Sequence, residues 1–151
     1  MLAAADELVR VDRMRRQTYS HIARSSMATL RVRQGEIAAG LAACRSVLVA
    51  YADDGERSLL TMTIAIAADG LADHDPGAAI ALAAIADSDA VTHFASWTTQ
   101  PELQRLAEER PAEVVAAREW AAGLSYDDAL VALFEIIDRL IAEADAHEDR
   151  R

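Results

Sequence analysis

The residues with the most chemical promise surround one irregular stretch, "VTHFASWTTQ" (91–100). His93, Phe94 and Trp97 crowd together in a chain that is only 5% aromatic, and Trp120 and Tyr126 are the aromatics available to face them. That grouping suits a small-molecule pocket between helical hairpins, as in a sensor domain. The plainer reading is an aromatic plug closing the end of a core. A second cluster, "DGLADHD" (69–75), gathers Asp69, Asp73, His74 and Asp75. Carboxylates and an imidazole at this density attract divalent cations. However, no second histidine stands at ligand spacing, and the glycine that a calcium loop needs at its sixth position is missing. Residues that end one helix and cap the next account for the same letters, and no metal or cofactor is expected.

The remaining candidates are weaker. Glu108 with Glu109, or Glu135 with Asp138, could pair for acid–base work, but helical spacing puts them on solvated faces beside an apolar stripe. Ser25 and Ser26 lack the GxSxG context of a nucleophile elbow. No GxxxxGK[ST] phosphate loop occurs, and the four histidines are scattered. No catalytic constellation emerges, so the expectation is a protein that is not an enzyme. The basic stretch "RVDRMRR" (10–16) offers Arg10, Arg13 and Arg16 near one helical face, suited to a phosphate, an acidic partner or an acidic neighbouring subunit. A solvated helix face is the plainer alternative.

Composition sets the frame for these residues. The 151 residues suit one domain, 52% of them are hydrophobic, and alanine supplies much of that share. Alanine is the strongest helix former and lets helices approach closely, so an all-α domain is expected. The net charge of −10 is unevenly placed. Residues 1–35 hold seven arginines and three acids, leaving 8 basic and 22 acidic residues for the rest. An acidic body repels phosphate backbones, which argues against nucleic acid as its partner. The single cysteine, Cys44, lies in an apolar helical stretch and reads as a small buried hydrophobe. The start "MLAAADELVR" puts acids where a secretory signal would have a basic region, so no signal peptide is expected, and the longest apolar run, "LLTMTIAIAA" (59–68), is too short to span a bilayer. A cytoplasmic protein without membrane contact is the default expectation.

Periodicity then places the elements. Residues 2–33 read as helix, with an apolar stripe that firms up through Tyr19, Ile22, Ala23, Met27 and Leu30. Gly35 breaks it. A helix over 36–52 carries Ile37, Leu41, Cys44, Leu48 and Tyr51 on one face. "DDGE" (53–56) turns the chain, its acids serving the next helix, and that helix (56–73) is apolar on most sides and therefore central. Asp75 and Pro76 cap and open a fourth helix. "TQPE" (99–102) reads as a capping box for a short helix through Leu103 and Leu106. "RP" (110–111) starts another, with Val114, Ala117, Ala121 and Leu124 inward. Ser125, with Asp128 at the third helical position, opens the last, whose core stripe is Leu130, Leu133, Phe134, Ile137, Leu140 and Ile141. The tail from residue 147 is polar. Restarts at Gly35, Pro76 and Pro111 frame helix pairs of repeat-like length, pointing to a tetratricopeptide-like α-hairpin repeat, an α-α superhelix of six to seven helices. The expected organisation is a basic N-terminal helix or capping helices (1–34), a repeat domain (35–146) and the tail (147–151).

"AAREWAAGLSYDDAL" (116–130) resembles a signature near the C-terminal end of helical-repeat regions in large bacterial signalling proteins. These are LuxR-type regulators with an ATPase core and class III nucleotide cyclases joined to similar ATPases. "GERSLLTMTIAIAADGLADHDPGAAIALAAIAD" (55–87) is similar to their last repeat. The resemblance implies partner contact or signal coupling in a signalling or transcription-control system, with the ATPase, cyclase and DNA-reading parts lying outside this region. The partner expected is another protein or an adjacent domain of the same regulator, with a second copy of the chain as the alternative.

Overall fold

A computed structural model of the chain describes residues 19–91 and 96–148. These residues form eight helices and no strand. In chain order they are α1 (residues 19–33), α2 (Ile37–Asp53), α3 (Arg57–Leu71), α4 (Pro76–Ala86), α5 (Ser96–Thr99), α6 (Pro101–Glu109), α7 (Pro111–Ala122) and α8 (Tyr126–Glu148). The all-helical expectation holds. The count exceeds six to seven because the stretch read as irregular contains the one-turn helix α5. None of these helices is long and apolar enough to cross a membrane.

The first two turns share one chemistry. Gly35 and Gly55 take φ of 87° and 70°, a left-handed conformation that glycine adopts without steric penalty. At each, the following glutamate N–H reaches back across the turn, Glu36 to Arg31 O at 3.0 Å and Glu56 to Tyr51 O at 2.9 Å. Both helices therefore end with their last carbonyls satisfied, and the chain reverses in two residues. Of the acids in "DDGE", Glu56 holds the N-cap position of α3 without a side-chain bond, so its charge rather than a cap faces the positive end of the helix. Further along, Asp75 accepts from Ala78 N at 2.9 Å with Pro76 behind it, as the sequence suggested. Ser125 likewise accepts from Asp128 N at 3.2 Å, and its hydroxyl donates to the Asp128 carboxylate.

α3 and α4 are the centre. Ten of fifteen residues of α3 and eight of eleven of α4 are buried, which is why both look apolar all round in sequence. The small side chains of "PGAAIALAAIA" let α3, α5, α6, α7 and α8 all pack on α4. The turn after Ala122 sends α7 and α8 to different neighbours. α7 packs on α4 and α6, whereas α8 returns to α2 and α4. A bidentate ion pair, Arg45 to Asp138 at 2.5 and 3.0 Å, fastens α8 to α2, with Arg45 also 5.2 Å from the Phe134 ring. α8 continues to Glu148, two residues into the expected tail, with Arg139 and Glu143 paired four residues apart on its last turns.

α1 lies closely against this body. A Cβ at Gly40 of α2 would meet Val32 Cγ2 at 2.7 Å, Val32 N at 2.8 Å and Ala28 O at 2.9 Å. Two of those three atoms are backbone and cannot swing aside. We expect Gly40→Ala to push α1 outward and cost about 1–3 kcal/mol, read as a lower urea midpoint.

Candidate interaction surface

The face that α1 buries is not the one its apolar pattern suggested. Ser25, Ala28, Thr29 and Val32 are buried. The stripe through Tyr19, Met27 and Leu30 faces outward, at 72%, 58% and 48% exposure, with Ala23 also exposed. Close approach at Gly40 accounts for the inversion, because the face of α1 that meets it has room for Ala28 and Val32 but not for longer side chains. Beneath α1 runs a polar seam, with the Ser25 and Thr63 hydroxyls 3.3 Å apart and Thr29 donating to Ser25 O at 3.0 Å. Cys44 and Ala67 are buried alongside Ala28.

The outward stripe borders a 470 Å³ groove between α1 and α2. Its apolar walls include Ala23, Met27, Ala28, Ala43 and Val47, with Arg24 and Arg31 beside them. Spacing of 3 or 4 places Tyr19, Ala23, Met27 and Leu30 on one side of α1, as for a helix awaiting another helix. The α2 side, Ala43, Ser46 and Val47, was not singled out in sequence. Alanine and serine read there as ordinary helix filling, and the only available clue was their 3-to-4 spacing.

A second cleft, of 380 Å³, brings His74 from the α3–α4 turn to His147 near the end of α8, over Leu71 and Leu140. Its acids are already engaged. Asp75 caps α4 and lies 3.9 Å from Arg139, and Glu143 pairs with Arg139 at 3.1 Å. Among the described residues no group of three or more histidine, cysteine or acidic side chains could hold a metal ion.

The carboxylates of "DGLADHD" serve structure. Asp69, 2% exposed, accepts from Glu102 N at 2.8 Å and Leu103 N at 3.4 Å, and forms an ion pair with Arg33. It thus caps α6 from another helix. The capping box expected at "TQPE" is absent, since Gln100 occupies the N-cap without a side-chain bond. Asp73 pairs with Arg105 at 2.6 Å, and Arg105 also holds Glu102 and Glu109. Asp87 caps the next element in the same manner, accepting from Ser96 N at 2.7 Å.

Three of the five aromatic candidates lie among the described residues. His93 and Phe94, like Arg10, Arg13 and Arg16, lie outside the described residues. Trp97 is buried in the main core with Arg118 5.2 Å from its ring, Trp120 is 42% exposed, and Tyr126 stacks under Arg57 at 4.2 Å. These three line neither cleft described above. Among the paired acids, Asp138 is held by Arg45, which lowers its pKa, and Glu109 is held by Arg105, while Glu135 and Glu108 are exposed.

Comparison with known protein families, curated proteins and solved structures finds no match to this chain. The fold and surface define an all-α helical module with an open groove between its first two described helices.

Two outcomes are expected. Asp69→Ala removes the acceptor for buried α6 N–H groups and should cost about 2–3 kcal/mol in urea unfolding. Arg33→Ala, which leaves the buried Asp69 its two N–H donors but no cation, should cost less, about 1–2 kcal/mol. Burial moves the Cys44 thiol from an ordinary 9.0 to about 11, partly opposed by a hydrogen bond with Thr29. Burial, then Glu56, also raises Tyr51. Both groups keep their protons in the folded chain at pH values where the unfolded chain has lost them. Stability should therefore fall as pH climbs from about 9 towards about 11. Cys44→Ala should flatten that slope, and native protein should resist a thiol reagent that labels the urea-unfolded chain.

Proposed function

We propose that this chain is a non-enzymatic helical module that works by protein–protein contact. The observation that carries the reading is the exposed Tyr19–Met27–Leu30 stripe beside the α1–α2 groove. Extended exposed apolar surface marks interaction sites, and here Ala23 and Met27 of the stripe continue into the wall of the groove. The engagement of Asp69, Asp73, Asp75 and Asp138 in caps and ion pairs supports a structural role for the acids that looked most chemical.

The architecture we propose is a tetratricopeptide-like stack of α-hairpins. The matching turns at Gly35 and Gly55 and the serial packing of α2 on α3 and α3 on α4 favour it. α8 packs on α2 as well as α4, so the stack is closed on that side rather than left as an open superhelix. The working context, a bacterial cytoplasmic signalling or transcription-control system, rests on the resemblance of residues 55–87 and 116–130. Signal coupling to another protein or to an adjacent domain of the same regulator is the expected role.

A photo-reactive residue placed at Met27, in the chain expressed in its own cells, tests the reading. The expected result is a defined protein adduct on irradiation, absent when the probe stands at Glu108 on α6. Met27→Glu with Leu30→Glu should abolish that association and change stability by no more than about 0.5 kcal/mol. No protein adduct from position 27, or one equally strong from position 108, would sink the proposal.

A further inference from the structure

We propose that the α1–α2 groove receives an amphipathic helix of a partner protein, apolar on the face it buries and acidic along its flanks. This rests on the contact-module reading above and adds the chemistry of the partner. Three observations carry it.

The first is charge. Residues 19–33 contain Arg24, Arg31 and Arg33 and no acid, in a chain whose net charge is −10. Arg33 is engaged by Asp69. Among the described residues Arg31 has only Glu36 as an ion-pair partner, at 3.8 Å with both side chains about half exposed, and Arg24 has none. Two guanidinium groups therefore line the groove with most of their charge uncompensated. A row of Glu or Asp on an arriving helix completes them, which sets specificity and orientation more than affinity.

The second is shape. The groove runs between two helices, is 470 Å³ in volume, and is walled by Ala28, Ala43, Ser46 and Val47 with Met27 at its edge. Small residues leave the room, so the incoming element must supply the bulk. A third helix laid along two others does this with side chains at i, i+3, i+4 and i+7. Methionine suits the edge, since its flexible thioether adapts to the side chain it meets.

The third is what the same charges reject. Two copies docking α1 on α1 about a two-fold axis near Met27 would set Arg24 of each copy towards Arg31 of the other. Like charges across a helix–helix seam disfavour that pairing. A nucleic acid would satisfy the arginines but leave the apolar walls and the exposed Tyr19–Met27–Leu30 row uncovered.

The test displays a library of helices of about 20 residues. Stripe positions sample Leu, Ile, Met, Phe and Ala, and flanking positions sample Glu, Gln and Lys. The library is selected against the purified full chain. The expected result is enrichment of bulky stripes with Glu favoured over Lys at the flanks by roughly tenfold. Against Arg24→Glu with Arg31→Glu that preference should reverse, and against Ser46→Trp, which fills the groove without touching its charge, enrichment should vanish. Circular dichroism checks that both variants remain folded. No enrichment, a flank preference that ignores the arginine reversal, or enrichment that survives Ser46→Trp overturns the proposal. Sedimentation of the free chain as a dimer that Met27→Glu dissociates would make a second copy the occupant and overturn it too. If selection fails while the Met27 cross-link to a protein persists, the acidic-helix chemistry is wrong and the contact module stands. If both fail, the contact reading falls with it.

Discussion

A single buried carboxylate joins three of the helices. Asp69 leaves the core face of α3, accepts the first free N–H groups of α6 and holds Arg33 at the end of α1. Each of these contacts answers a cost that would otherwise stand. A carboxylate at 2% exposure needs partners. The N-terminus of α6 has no cap of its own, and its positive end favours an anion. Arg105 repeats the connection nearer the surface by joining Asp73 to Glu102 and Glu109. The position of α6 therefore depends on α3, which lies at the centre of the fold.

Around that centre the chain relies on small residues where helices meet closely. Alanine through α4 lets five helices share it, and Gly40 lets α1 approach α2 almost backbone to backbone. Close approach carries a consequence for α1. Its inner face buries side chains no larger than Val32, with Ser25, Ala28 and Thr29 beside it, and the larger Tyr19, Met27 and Leu30 are on the outside. The exposed row and the groove are thus the other side of the packing that attaches the helix. One local constraint, the clearance at Gly40, orders both the interior seam and the surface proposed for contact.

Much of the helical scaffold was legible because its signals are local. Asp75 with Pro76, Ser125 with Asp128, and glycine at 35 and 55 act over three or four residues, and each does in the fold what its position promised. The inward stripes of α2, α7 and α8 follow from periodicity alone, as Leu41, Leu48, Val114, Ala121, Leu133 and Ile137 illustrate. The candidate site was far less legible. Of the aromatic set, Trp97 lies in the core, Trp120 is exposed and Tyr126 stands against Arg57, while His93 and Phe94 lie outside the described residues. The acidic cluster became caps and ion pairs, and the α1 stripe pointed the other way.

By itself, then, the sequence determined the helical class, the places where the chain stops and restarts, and the central position of α3. Composition, turn chemistry and 3.6-residue periodicity require nothing beyond near neighbours. Only the tertiary structure decided that Asp69 caps α6 from across the chain, that α8 returns to α2 while α7 stays with α6, and that α1 turns its bulky face to solvent. Those outcomes depend on residues far apart in sequence competing for the same space and the same unpaired N–H groups. That competition is settled only when the helices pack.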